Sequence, residues 1–199
     1  MSKETQARDF VLLGDGGHAS AVAATARLLA LPISAVATNL SSKAPHKLGN
    51  LGFPLLTEED LLNEHSNSRC LLMNGVGKIL GCEKRKEVFL KFSNFGYNFQ
   101  SLIHPSSFVD PSAVIGQGVQ IMAGAVVQND VEIGADVIVN TRASIDHGAV
   151  IGDHTHIAPG AIICGDVEVG ANCFIGAGSI IKQGTKIACG VVIKAGSLV

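Results

Sequence analysis

The sequence predicts an α/β domain followed by an all-β one: a small Rossmann-like domain over residues 1–100, then a parallel β-helix of about five coils over residues 101–199. Three observations carry that prediction. Every sixth residue from Ile103 to Val199 is Ile or Val without a gap. The first hundred residues show no such period and instead alternate short apolar runs with helical stretches. Between the first run and the first helical stretch lies a glycine-rich turn, "GDGGHAS" at 14–20.

In chain order, "FVLLG" (10–14) reads as a short buried strand, and "DGGHAS" as a turn into an Ala-rich helix ending near Leu31. "ISAVAT" (33–38) is a second strand, "TEEDLL" (57–62) opens a short helix, and "CLLMNGVG" (70–77) is a third strand. "EKRKEVFLKFSNFG" is a helix ending at Gly96, and the domain boundary falls near "SLIHPSS" (101–107), where the hexads begin. This is a βαβ order. Glycines after a strand and before a helix let a phosphate or sugar approach backbone N–H groups, which makes Gly16, Gly17 and His18 candidate substrate-binding residues. The third glycine of a dinucleotide fingerprint is replaced by Ala19, and the second strand ends in Thr38 and Asn39 where an acidic ribose clamp would stand. A sugar nucleotide therefore fits better than a dinucleotide, with a purely structural turn as the alternative. "NGVGK" (74–78), with Gly75, follows the third strand and is expected to face the same crevice.

A six-residue period fits neither a helix nor a flat strand. It fits short strands joined by turns, three hexads to an 18-residue coil, with coils stacking as parallel strands. Small residues recur four positions after the aliphatic ones, at Ala113, Ala125, Ala143, Ala149, Ala161 and Cys173 among others, which narrows the interior.

The chain has 199 residues, 47% hydrophobic and 16% charged, with a net charge of −2. That balance makes no electrostatic case for nucleic acid or an anionic membrane. Gly, Asp or Asn interrupts every apolar run before it could span a bilayer, and "MSKETQARDF" lacks the order of a secretory signal, so a cytoplasmic protein is expected. The five cysteines show no CxxC spacing and read as reduced packing thiols, with no metal site.

"SIDHGAVIGDHTHIAPG" (144–160) places three histidines on the hexad grid, all off the inward positions, so none is expected to be a buried core histidine. His147 and His156 are nine residues apart, half a coil, and project from opposite sides of one prism. A homotrimer would bring His147 of one subunit to His156 of its neighbour. His147 is the candidate catalytic residue, and His154 is expected to be a bystander at the rim.

Together, "GDGGHA", "NGVG" followed by Arg85, "SLIHPSS", "NTRASIDHGAVIGDHTHIAPGAIICGDVEVG" and "CFIGAGSIIKQG" resemble the sialic acid O-acetyltransferase family, which includes bacterial N-acetyltransferases of nucleotide-linked amino-sugars. The resemblance implies a left-handed β-helix, His147 as catalytic base and His156 near the thioester of acetyl-CoA. It implies a nucleotide-linked amino-sugar held by the N-terminal domain through Gly16, Gly17 and His18. It implies direct acetyl transfer without a metal. Acetyl-CoA would lie along an inter-subunit groove, pairing with backbone around Gly165, Ala177 and Ala195. Two departures stand out. Family members often carry Asp or Glu directly after the catalytic histidine, where this chain has Gly148; either Asp146 takes that job or the base works unassisted. The acidic pair many members use against the nucleotide is replaced by Thr38 and Asn39. O-acetylation of sialic acid or another sugar hydroxyl, and a non-catalytic β-helix scaffold, are the competing readings.

Overall fold

The structure, a computed structural model, describes residues 9–38, 48–79 and 81–199, so Asn39 lies outside the described residues. The chain divides into two compact units, Met1–Gly77 with Val88–Phe99 and Lys78–Glu87 with Gln100–Val199.

In the first unit, strands β1 (Asp9–Leu13), β2 (Ile33–Ala37), β3 (Leu55–Leu56), β4 (Cys70–Asn74) and β5 (Asn98–Phe99) form a parallel sheet in the order β3-β2-β1-β4-β5. β1 is central, and its run Val11, Leu12, Leu13 is buried, as a strand covered on both faces requires. Helix α1 (Gly17–Leu28) buries Ala19, Val22, Ala23 and Ala26. Helix α2 (Glu58–Glu64) starts at a capping box: Asp60 N–H donates to Thr57 Oγ1 at 3.0 Å, and Thr57 N–H to Asp60 Oδ2 at 2.9 Å. The Thr57 hydroxyl, which donates to Asp60 Oδ2 at 2.7 Å, and the Thr57 N–H together hold the Asp60 carboxyl below its ordinary range. Strand order reverses between β1 and β4, so the turns after these two strands flank the crevice where ligands of such sheets bind.

The second unit is the β-helix. Its strands are two residues long and stack into three parallel sheets of five, five and six strands. Each strand pairs with the one eighteen residues on, as in Val126↔Ser144, Ser144↔Ile162 and Ile162↔Ile180. The inward Ile and Val residues and the small residues between them form one continuous core from Val119 to Ile187. From Ile115 on, three residues past each aliphatic position the backbone turns left-handed, at glycine or at Asp130, Asp136, Arg142, His154, Asp166 and Asn172, whose φ lies between 56° and 61°. Only Gly, Asn and Asp take that conformation readily. His154 therefore occupies a corner of the prism.

Asp136, His154 and Asn172, eighteen residues apart, share one corner, and the segment Lys78–Glu87 docks there. Arg85 Nη2 lies 2.8 Å from Asp136 Oδ1, with the side chains 2% and 0% exposed, and His154 Nδ1 lies 3.1 Å from Asp136 Oδ2. Lys78 Nζ donates to the His154 carbonyl at 2.9 Å and to Asn172 Oδ1, while Asn172 Nδ2 donates to Glu83 Oε2 at 2.8 Å. Burial pulls the Lys78 ammonium below its ordinary range, against the opposing pull of Glu83. Helix α3 (Lys84–Asn94) begins on this segment.

Two expectations are corrected here. A boundary at residue 100 assigns 78–87 to the first domain, whereas these residues cluster with the β-helix. His154 is not at the rim: it is 8% exposed, because the strap carrying Lys78 and Arg85 covers its corner.

Asp136→Ala leaves the Arg85 guanidinium buried without its carboxylate. It should lower unfolding free energy by about 3–5 kcal/mol, measured by urea denaturation against wild type.

Candidate active site

His147 stands just past the strand Ser144–Ile145, on the corner that leads to the strand Val150–Ile151. Its side chain is 50% exposed, and Nδ1 lies 4.0 Å from Asp166 Oδ1. The imidazole rests on the next coil at Gly165, where an added Cβ would stand 2.5 Å from Cε1 and 2.7 Å from Nε2. No larger residue at 165 leaves the ring in place.

Asp146 meets the backbone of His147. Its Oδ1 accepts the His147 backbone N–H at 2.9 Å. The reason lies in the repeat, since residues one past the inward aliphatic often accept an N–H of the turn. Asp110 Oδ1 does so from Ser112 at 2.9 Å, and Asn140 Oδ1 from Thr141 at 2.7 Å. Asp146 occupies the same position.

His156 lies on the strand His156–Ile157 of the sheet opposite the His147 corner. It is 8% exposed, packs edge-on against Phe174 with centroids 5.0 Å apart, and its Nε2 is 3.0 Å from Asn140 Nδ2. His156, like His154, is buried without belonging to the inward core of the β-helix. Outward on the grid is not exposed in the fold, because Gln120 and Ile138, earlier on the same face, are also covered, and Arg85 Nη1 reaches Gln120 Oε1 at 3.4 Å. Asn140 is a site residue that sequence reasoning missed. Because its Oδ1 takes the Thr141 N–H, its Nδ2 must face His156, which makes Nε2 the acceptor and sets the proton on Nδ1.

The other candidates divide by place. Gly165 is buried beside His147, whereas Ala177 and Ala195, eighteen residues apart and exposed, follow the strands of the His156 sheet at another corner. One chain therefore does not gather all three. In the first unit the two glycine-rich turns meet: a Cβ on Gly77 would sit 3.2 Å from that of His18, and one on Gly14 would sit 3.4 Å from Val76 Cγ2. Gly75 is packed so closely that a Cβ would lie 2.6 Å from the Leu13 carbonyl oxygen. At Gly16 and Gly17, by contrast, a Cβ meets nothing within 4 Å among the described residues. Thr38 directly follows β2, its N–H bonded to the Leu56 carbonyl at 2.9 Å. No group of three His, Cys, Asp or Glu among the described residues could hold a metal ion, and none of the described helices is long and apolar enough to cross a membrane.

The family described as bacterial transferase hexapeptide (six repeats) matches residues 112–147 and 148–183. The acetyltransferase domain of PglB from Neisseria gonorrhoeae is 32% identical over 96% of this chain and 91% of its own, with a TM-score of 0.84. The chain belongs to the bacterial hexapeptide-repeat acyltransferases. That PglB domain has also been solved in complex with acetyl coenzyme A, and in that form matches at 32% identity over 96% of this chain and 89% of its own, with a TM-score of 0.83. PerB from Caulobacter crescentus, solved with CoA and GDP-perosamine, is 29% identical over 96% of this chain and 88% of its own, with a TM-score of 0.84. No curated protein matches the sequence at a significant level.

Proposed function

We propose that this protein is an acetyl-CoA-dependent sugar acetyltransferase that acetylates the amine of a nucleotide-linked amino-sugar, acting as a homotrimer with His147 as general base. The observation that carries this reading is a half-exposed imidazole, held on a glycine of the next coil, in a chain that is similar along almost its full length to PerB, a protein solved with CoA and GDP-perosamine.

The chemistry balances without a covalent enzyme intermediate. The sugar amine attacks the thioester carbonyl, a C–N bond forms, and His147 takes the amine proton. The C–S bond then breaks, and the departing thiolate receives that proton. Histidine suits the task because its free pKa of about 6.5 lets it accept and return a proton near neutrality. Backbone N–H groups of the coils, with His156 nearby in the assembly, supply the oxyanion's partners. His156 is not a second base, since Asn140 occupies its Nε2. Acetyl-CoA pairs with backbone near Gly165 of one subunit and near Ala177 and Ala195 of its neighbour, which accounts for their separation on a single chain. The sugar nucleotide lies at the β1/β4 switch point, against the open faces of Gly16 and Gly17 and beside His18, Gly75 and Thr38.

Release of CoA thiol from acetyl-CoA, measured against a panel of nucleotide-linked amino-sugars, should show turnover, with mass spectrometry placing the acetyl group on nitrogen. An oxygen-linked product, or no turnover with any of them, ends this reading. His147→Ala should lower kcat by about 10²–10⁴ while circular dichroism stays native, since the residue lies outside the core. Gly16→Val should raise KM for the sugar nucleotide well above its effect on KM for acetyl-CoA. The active species should be trimeric by light scattering; a fully active monomer sinks the two-subunit site.

A further inference from the structure

We propose that Asp166, from the coil after the one that carries His147, is the carboxylate that orients the catalytic imidazole, doing from eighteen residues further on what an acidic residue at position 148 would do. The inference rests on the general-base reading of His147. Four observations converge on it. Asp166 Oδ1 is 4.0 Å from His147 Nδ1, one side-chain adjustment from a hydrogen bond. Catalytic hydrogen bonds are often long before substrate binds and tighten in the Michaelis complex. The backbone fixes the register of the pair, because Asp166 N–H donates to the His147 carbonyl at 2.9 Å. The other carboxylate oxygen, Oδ2, accepts from Gln183 Nε2 at 3.3 Å, which turns Oδ1 toward the ring.

The fourth observation is the space. Gly148 and Asp166 share a corner, eighteen residues apart, and a Cβ at Gly148 would stand 2.6 Å from Asp166 Oδ1. The Asp166 carboxylate occupies the volume that a side chain at 148 would fill. Position 148 and the Asp166 carboxylate are thus alternatives, and this chain has the second. Gly165 completes the exchange, since its lack of a side chain lets the ring lie flat beside the residue that follows it.

The other charged groups on adjacent corner positions do not compete. Asp146 Oδ1 accepts the His147 backbone N–H, and Asp130, one coil earlier, accepts from Asn129 Nδ2 at 2.8 Å. Lys182 stands two coils on from Asp146 and carries the wrong charge to accept from Nδ1. With Nδ1–H directed at Asp166, the ring holds Nε2 as the atom that receives the amine proton. Asp166 itself gains and loses no proton and touches no substrate, so it is a positioning residue.

The test is a double-mutant cycle on the full-length protein with acetyl-CoA and whichever amino-sugar nucleotide it turns over. Asp166→Asn should lower kcat about ten-fold, the scale of one charge-assisted hydrogen bond, with KM for both substrates unchanged. The same change made in a His147→Ala background should cost nothing further, because Asp166 acts only through the ring. Asp146→Asn, which still offers an oxygen to the His147 amide, should fall well short of the Asp166→Asn loss. Wild-type kcat in Asp166→Asn overturns the proposal, as does an equal loss with and without His147. If His147→Ala alone keeps wild-type kcat, the general-base reading fails first, and that outcome is distinct from either.

Discussion

From Gly118 onward every sixth residue of the β-helix bends the backbone into the left-handed region, and the site depends on that constraint. The bend turns a two-residue strand through a corner, three corners close a coil, and closure at eighteen residues sets each strand against its successor. Where the corner residue is glycine the bend costs little. Where it is Asp136, His154, Asp166 or Asn172, an L side chain accepts an unfavourable conformation and is aimed outward at a fixed point. Those are the side chains on which the strap and the candidate site are built. Corners are the places where this fold can hold a polar group without disturbing the core.

The strap on Asp136 follows from the same geometry. Burying a guanidinium is expensive, and Arg85 is tolerated because a buried carboxylate meets it at 2.8 Å and Gln120 offers a further oxygen. Lys78 reinforces the contact by closing on the carbonyl of one corner residue and the amide of the next. The segment that follows the "NGVG" turn in the chain is in this way fastened to the corner two residues before His156.

Much of this was legible in the sequence, for a reason particular to the fold. A β-helix repeats its physics with its period, so the unbroken Ile and Val series from 103 to 199 determines the strands, the core and the coil length together. The Rossmann-like half was legible from two glycine-rich turns after apolar runs. Polar contacts between coils were harder to read. The grid distinguishes inward from outward, yet outward residues are buried wherever another segment covers them, and nothing near His154 announces that residues 78–87 do so. Asp146 sits beside His147 in sequence and is spent on the turn, while Asp166 sits nineteen residues away and next to the ring in space. Reading down the period as well as along the chain would have placed Gly165 under His147 and so brought its neighbour Asp166 to the ring, whereas Asn140, sixteen residues before His156, lies off that register.

That geometry also governs how the gene can change. An insertion of six residues between His147 and Gly165 would preserve the hydrophobic period and rotate all later coils by one face. The protein would still fold, with a glycine, an aspartate and a histidine that no longer share an edge. Only duplication or loss of a whole coil keeps the edges aligned, and only an excursion looped out at a corner escapes the rule. Length variation among chains of this architecture should therefore come in steps of eighteen or as corner loops, with multiples of six alone purged by loss of activity instead of loss of fold.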